Sequence, residues 1–302
     1  MRLVRLATWN VNSAKTRLPR LLPWLDQRAP DVVCLQETKL ADADWAETFD
    51  DAMRERGYEV AHYGQGRWNG VALLSRVGLD DVERGLPAEP RFPDDDSAPE
   101  ARALTATCGG LRVTSVYVPN GRTPDDPHYA YKLRWLDALQ AMVADGPTAT
   151  SVVAGDMNIA PTDADVWDPS LFVDSTHVTP AERKALEGLT GLGLHDVVRD
   201  RWPGQRVFSY WDYRAGRFHQ DKGMRIDLVL VGDDAVGRVQ AAWIDRQARK
   251  GSGPSDHAPV MVDLDEAPDG DIGPVVPPPS APVTRRGAKK LPQSLPTEPD
   301  DE

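Results

Sequence analysis

The feature that most constrains this chain is a run of short, β-branched apolar segments that stop at polar clusters. LVRLATW runs into Asn10-Val11-Asn12, DVVCLQE into Thr38-Lys39, LRVTSVYV into Pro119-Asn120-Gly121 and TSVVAGD into Met157-Asn158, while Ser255-Asp256-His257 precedes PVMVDL. Segments of this length and content read as buried strands. YEVAHYG, GVALLSR, ALTATCG, RVFSYWD and RIDLVLV read the same way. Helical spacing marks LPRLLPWLDQRA, DADWAETFDDAMRERG, HYAYKLRWLDALQAMVADG and PAERKALEGLTGLG. In the third, Tyr131, Trp135, Leu136, Leu139, Met142 and Val143 form the apolar stripe. Ten or more strands mixed with helices in 302 residues predict an α/β fold of two packed β-sheets with helices outside. Gly109-Gly110 signals a hairpin, LPAEPRFPDDDSAPEA a surface loop, and no internal repeat is visible.

The folded domain is expected to span 1–264. The Pro-rich, charged segment 265–302 has no hydrophobic period and reads as a disordered tail, with its RRGAKK cluster taken as solvated linker. The 47 Asp+Glu against 35 Lys+Arg give a net charge of −12, which argues against a basic nucleic-acid coating protein but leaves room for a locally positive groove. No apolar run is long enough for a membrane span and no secretory leader is evident, so no membrane association and a cytoplasmic location are expected. Cys34 and Cys108 sit in apolar strands, where inert buried thiols are expected.

The strand-end clusters are where a rigid scaffold can bring functional groups together. Hard cations such as Mg²⁺ take oxygen ligands, and Glu37, Asp256 and the Asn10 carbonyl supply such a set, while no zinc-type Cys/His spacing occurs. Asp156 and Asn158, two apart, suit holding a water, and His257 suits donation to a phosphate. Asp227 is a charge in an apolar strand and needs a partner. His257 is its natural one, with Arg225 a close second.

The series ATWNVN, LQETK, YVPNG, GDMN, FSYWDYR, RIDLVL and SDHAP, in this order from Leu3 to about Asp263, resembles the exonuclease III family of abasic-site endonucleases. That family lies within the endonuclease/exonuclease/phosphatase superfamily. The resemblance implies a DNase I-like four-layered α/β sandwich. It implies Glu37 as principal metal ligand with Asn10 and Asp256 near, and Asp156, Asn158 and His257 as candidates for a second ion. By the same resemblance Asp156 activates water, Asn158 holds that water or the phosphate, Tyr117 serves the phosphate or leaving oxygen, and Asp227 steadies His257. Tyr210 and Met224 would line a pocket for a sugar without its base, with Trp211 either pocket wall or core. Asn12, Asn69, Asn120, Arg122, Arg214, Arg217 and Lys222 are candidates for backbone phosphates.

The implied activity is Mg²⁺-dependent DNA repair, with Mn²⁺ as a substitute ion. The enzyme would incise 5′ to abasic sites, leaving a 3′-OH, and trim 3′ ends of double-stranded DNA as a monomer. The competing readings are a phosphoesterase of the same superfamily acting on RNA or phosphoinositide, and an inactive nucleic-acid-binding module.

Overall fold

Most of the apolar runs become central strands of two sheets. The computed structural model describes residues 5–94, 96–268 and 273–275. In chain order the first elements are β1 (Arg5–Asn10), α1 (Ala14–Arg28), β2 (Val32–Gln36), α2 (Asp42–Glu55), β3 (Glu59–Tyr63) and β4 (Val71–Ser75). Next come β5 (Asp80–Arg84), β6 (Ala103–Cys108), β7 (Leu111–Tyr117), α3 (Pro127–Asp145), β8 (Ser151–Asp156) and α4 (Pro180–Thr190). The last are β9 (Leu194–Asp196), α5 (Val197–Arg201), β10 (Asp227–Gly232), α6 (Asp233–Val236), β11 (Val239–Ile244) and β12 (Val260–Leu264).

One six-stranded sheet runs β11-β12-β1-β2-β4-β3 and the other β5-β6-β7-β8-β10-β9. Among the described residues only β1–β2 and β7–β8 pair in parallel, and each pair has its crossover helix, α1 and α3. Successive strand residues face opposite ways. Leu6, Val32 and Cys34 meet Val113, Val152 and Ala154 between the sheets. Ala7, Val33 and Leu35 pack under Leu21, Trp24, Trp45 and Phe49 of α1 and α2. On the other side Val116, Val153 and Leu228 pack under Tyr131, Trp135 and Leu186 of α3 and α4. The result is helices, sheet, sheet, helices, the expected α/β sandwich.

The wiring repeats although the sequence does not. β1-α1-β2-α2-β3-β4 and β7-α3-β8-α4-β9-β10 place their strands in the same relative order, with α5 inserted in the second. Both parallel pairs end at one edge of the molecule, where Asn10 at the end of β1 meets Asp156 at the end of β8.

Several elements differ from expectation. β5 (DDVER) is exposed throughout and carries no apolar pattern, and β9 is only three residues long. RVFSYWD is not a strand: Tyr210 makes isolated bridges to Met224 and His257. α1 starts at Ala14, where the Ser13 hydroxyl accepts from Thr16 N, and it continues through Pro19 and Pro23. The Gly109-Gly110 hairpin forms as read, with both glycines at positive φ. Both cysteines are buried, and burial pushes their thiols up, Cys108 to about 11.

Packing also continues past residue 264. Ile244 N donates to Pro274 O (2.9 Å), and Val275 packs against the inter-sheet core. Asp265 also pairs with Arg238 (2.8 Å), whereas 269–272 and 276–302, including RRGAKK, lie outside the described residues. Among the described residues no helix is long and apolar enough to cross a membrane.

Candidate active site

The two sheets meet chemically at Asn10, the last residue of β1. Its buried amide Nδ2 donates to Glu37 Oε1 (2.8 Å) and to Asp156 Oδ2 (2.9 Å), so one neutral group joins a carboxylate beside each sheet's parallel pair. The Asn10 backbone carbonyl accepts from Ser255 Oγ (2.7 Å), and its side-chain Oδ1 accepts from Asn12 N (3.0 Å). Glu37, just past β2, sits at φ 52° and pairs through Oε2 with Lys39 Nζ (2.8 Å). Lys39 also donates to Asn12 Oδ1 (2.6 Å), whose Nδ2 donates to Asp256 Oδ1 (3.0 Å). Burial pushes the Glu37 carboxyl up, but Lys39 and Asn10 outweigh it and leave it below the usual range.

The donors here are carboxylate and amide oxygens with no thiolate, which fits a hard divalent ion, and the Lys39 ammonium already occupies the cationic place on Glu37. Glu37 and Asp256 do not share a tight group of three acid or imidazole side chains. Among the described residues that arrangement belongs to Asp156, Asp227 and His257, whose ligand atoms lie within 4.8 Å of one another.

Asp156, the last residue of β8, stands directly opposite Asp227, the first residue of β10, and both are buried. Like charges facing across a strand pair are unfavourable. His257 resolves the conflict. Its Nδ1 lies 2.8 Å from Asp227 Oδ2 and its Nε2 lies 3.9 Å from Asp156 Oδ2. Ser209 Oγ donates to Asp227 Oδ2 (2.6 Å) and accepts from the Ile226 and Asp227 amides.

Burial works against the imidazolium, but Asp227 and then Asp156 overcome it and push His257 up to about 10. Burial, helped by Asp227 and opposed by His257, raises the Asp156 carboxyl to about 7. Arg225, the rival partner for Asp227, is engaged elsewhere, with Asp165 (2.6 Å) and Asp196 (2.8 Å).

Asn158 N donates to Asp156 Oδ1 (2.9 Å), its Nδ2 to Val118 O (2.9 Å), and its Oδ1 accepts from Asn120 (3.3 Å). Tyr117 ends β7 beside Asp156 in register, with the Arg102 guanidinium 4.7 Å from its ring centroid. Burial, with Glu37 adding to it, holds its phenol well above the usual range.

Beside this centre a cleft of about 290 Å³ is lined by Arg122, His177, Tyr210, Arg217 and Met224, among others. The Tyr210 ring lies 4.9 Å from the His257 ring. Trp211 is not a pocket wall. It is 1% exposed in the inter-sheet core, packed edge-on against Phe218. Arg214 is exposed on a short turn near Asp212 and does not line the cleft. Asn69 is buried and donates to Gln65, and the Lys222 ammonium lies over the Trp167 ring.

The sequence reading gave no role to Lys39, Lys132, His177, Ser209 or Ser255. Lys132 had left a signal, as a charge beside Tyr131 on an apolar helix face. The others act through partners that only the fold supplies.

The profile of the Endonuclease/Exonuclease/phosphatase family matches residues 7–257. Exodeoxyribonuclease III of Haemophilus influenzae is 30% identical over 279 residues, covering 86% of this chain and 100% of that protein. Among solved structures, a 3′-5′ exonuclease from Neisseria meningitidis superposes with a TM-score of 0.81 at 38% identity, covering 87% of this chain and 100% of that one. An AP endonuclease from Archaeoglobus fulgidus gives 0.81 at 32% identity with the same coverage. With the strand-end carboxylates and the buried imidazole in place, the chain belongs to the endonuclease/exonuclease/phosphatase family, as a hydrolytic nuclease of the exonuclease III type.

Proposed function

We propose that this nuclease acts in DNA repair with Mg²⁺, hydrolysing the phosphodiester 5′ to abasic sites and processing 3′ ends of duplex DNA. The observation that carries the reading is the buried Asp156–His257–Asp227 group linked through Asn10 to Glu37. Attack on an anionic phosphate needs a proton acceptor for water, donors to the nonbridging oxygens and relief of the leaving group. In this reading Asp156 accepts the water proton and Asn158 orients that water. The His257 imidazolium, held by Asp227, donates to the developing charge, and the Tyr117 phenol keeps its proton for the phosphate or leaving oxygen. Glu37 and Asp256, with Asn10 near, would hold Mg²⁺, or Mn²⁺ in its place, which neutralises phosphate charge when bound. Asp156, Asn158 and His257 remain the candidates for a second ion.

Tyr210 and Met224 would flank the extruded sugar, which is cheap to unstack when its base is missing. Asn12, Asn120 and Arg122 would contact backbone phosphates. The catalytic unit is the folded part from β1 to β12 together with the segment that packs back through Pro274 and Val275, acting as a monomer.

A second reading, with 3′-end processing ahead of abasic incision, draws support from the cleft wall. Arg122 and Arg217 line it, two cations of the kind that recognise a terminal phosphate. A 3′ phosphatase from Neisseria, solved with product DNA hairpin, is 36% identical to this chain.

The test is side-by-side rates on an abasic duplex and a 3′-phosphate hairpin, with Mg²⁺ and with EDTA. Metal-dependent cleavage of either supports the reading, and their ratio ranks the two activities. Binding without cleavage overturns it.

A further inference from the structure

Beneath the site lies a buried ion pair that the chemistry above does not use. Lys132 of α3 and Glu182 of α4 are both 0% exposed and in direct contact. Lys132 Nζ also donates to Asn158 O (2.7 Å) and Asn120 O (3.2 Å) and lies 3.4 Å from Thr176 Oγ1. Glu182 Oε1 accepts from His177 N (2.9 Å), while its Oε2 accepts from Thr179 N (3.0 Å) and Oγ1 (2.8 Å). Thr176 Oγ1 lies 2.8 Å from both Asn120 O and Glu182 Oε1. His177 Nδ1 lies 2.6 Å from Asn158 O.

Three separate stretches of chain converge on this pair. They are the loop after β7 with Asn120, the residues after β8 with Asn158, and the cleft-lining stretch of Thr176 and His177. The approach is close. A Cβ on Gly121, at φ +93°, would stand 2.7 Å from Thr176 Oγ1 and 3.1 Å from the Lys132 stem. A buried ion pair is weak as a stabiliser, since apolar residues of similar volume do as well or better. What it supplies here is direction: ammonium and carboxylate together face main-chain groups from all three stretches.

We propose that Lys132 and Glu182 are positioning residues that lock Asn158 and the His177 wall of the cleft into one block, setting the distance between the reacting phosphate and its pocket. This rests on the active-site reading above.

The test uses the full-length protein with Mg²⁺ and a 3′-phosphate hairpin, comparing wild type with the neutral pair Lys132→Met/Glu182→Gln. Each single variant leaves one buried charge unpaired and serves as the control for folding. The double variant is expected to keep its thermal midpoint while kcat falls on the order of 100-fold, as for a misplacement of about 1 Å, with KM changed less than about threefold. A purely structural pair would lower the folded fraction and leave kcat per folded molecule unchanged. That result, or wild-type kcat in a fully folded double variant, overturns the proposal alone. A wild type that turns over no DNA overturns the active-site reading and the proposal with it.

Discussion

Strand for strand, β1-β2-β4 and β7-β8-β10 share one order and one pattern of parallel and antiparallel pairing, with different side chains at one edge. Asn10 pairs with Gln36, and Gln36 with Val71; Tyr117 pairs with Asp156, and Asp156 with Asp227. The first half thus sets a neutral amide and a valine where the second sets two buried carboxylates. Gln36 is satisfied by Thr8 and Ser115 and asks for nothing more. The carboxylates need His257, Ser209 and the borrowed Asn10 amide. The first half has its own imidazole–carboxylate contact, His62 to Asp42 at 2.8 Å, yet there burial outweighs the partly exposed aspartate and keeps His62 below its ordinary range. Two buried carboxylates instead of one partly exposed carboxylate reverse the sign. The wiring is therefore indifferent to chemistry, and a few substitutions at strand ends create it.

Making the second half resemble the first should have the largest effect. Asp156→Asn is expected to reduce phosphodiester hydrolysis on the order of 10³–10⁴-fold. Because the folded carboxyl sits at about 7, above its ordinary 3.8, the wild type loses stability as pH rises between those values. The variant lacks that loss, so urea unfolding at pH 5 and pH 8 should show a smaller pH dependence, and retained turnover would remove Asp156 from the mechanism.

The reverse exchange, Val71→Asp, puts a buried charge where no imidazole waits and should destabilise the fold by about 3–5 kcal/mol. An unchanged urea midpoint would mean that the first half tolerates what the second half must compensate.

Asp227→Asn removes the main support of the imidazolium. His257 sits at about 10 against an ordinary 6.5, so its stabilisation is complete below 6.5 and lost as pH rises through about 10. In the variant that loss, and the alkaline limb of the rate profile, should move to lower pH, with kcat down roughly 10–100-fold. A fixed alkaline limb would assign it to another group.

The smallest effect is expected from Ser209→Ala, which leaves Asp227 and two amides short of a partner. Stability should fall by about 1–2 kcal/mol with a modest drop of the His257 pKa, readable by NMR titration. No change in either would exclude Ser209 as a support.

Legibility in the sequence followed burial. Strands covered on both faces, such as VVCLQ and SVVAGD, stand out as apolar runs, whereas the exposed edge DDVER carries no pattern. β11 (VQAAWI) was passed over because its alanines weaken the signal, although four of its six residues are buried. Asp227 was readable because a charge in an apolar strand demands a partner, and His257 is that partner. The same logic applied to Lys132 would have found Glu182. Trp211 stays open in the sequence because an aromatic in a motif can serve core or pocket equally, and Arg214 differs from expectation because a turn decides which way an arginine points. Lys39 and Ser209 were invisible, since their roles consist of hydrogen bonds to residues far away in sequence or on another strand.

The last strand closes on the first: β12 pairs with β1, and the Trp9 indole donates to the His257 carbonyl (3.1 Å). During synthesis Glu37 and Asp156 leave the ribosome well before the imidazole that must stand beside them. Nascent and truncated chains ending short of residue 257 therefore lack the imidazole that pairs with Asp227 and faces Asp156.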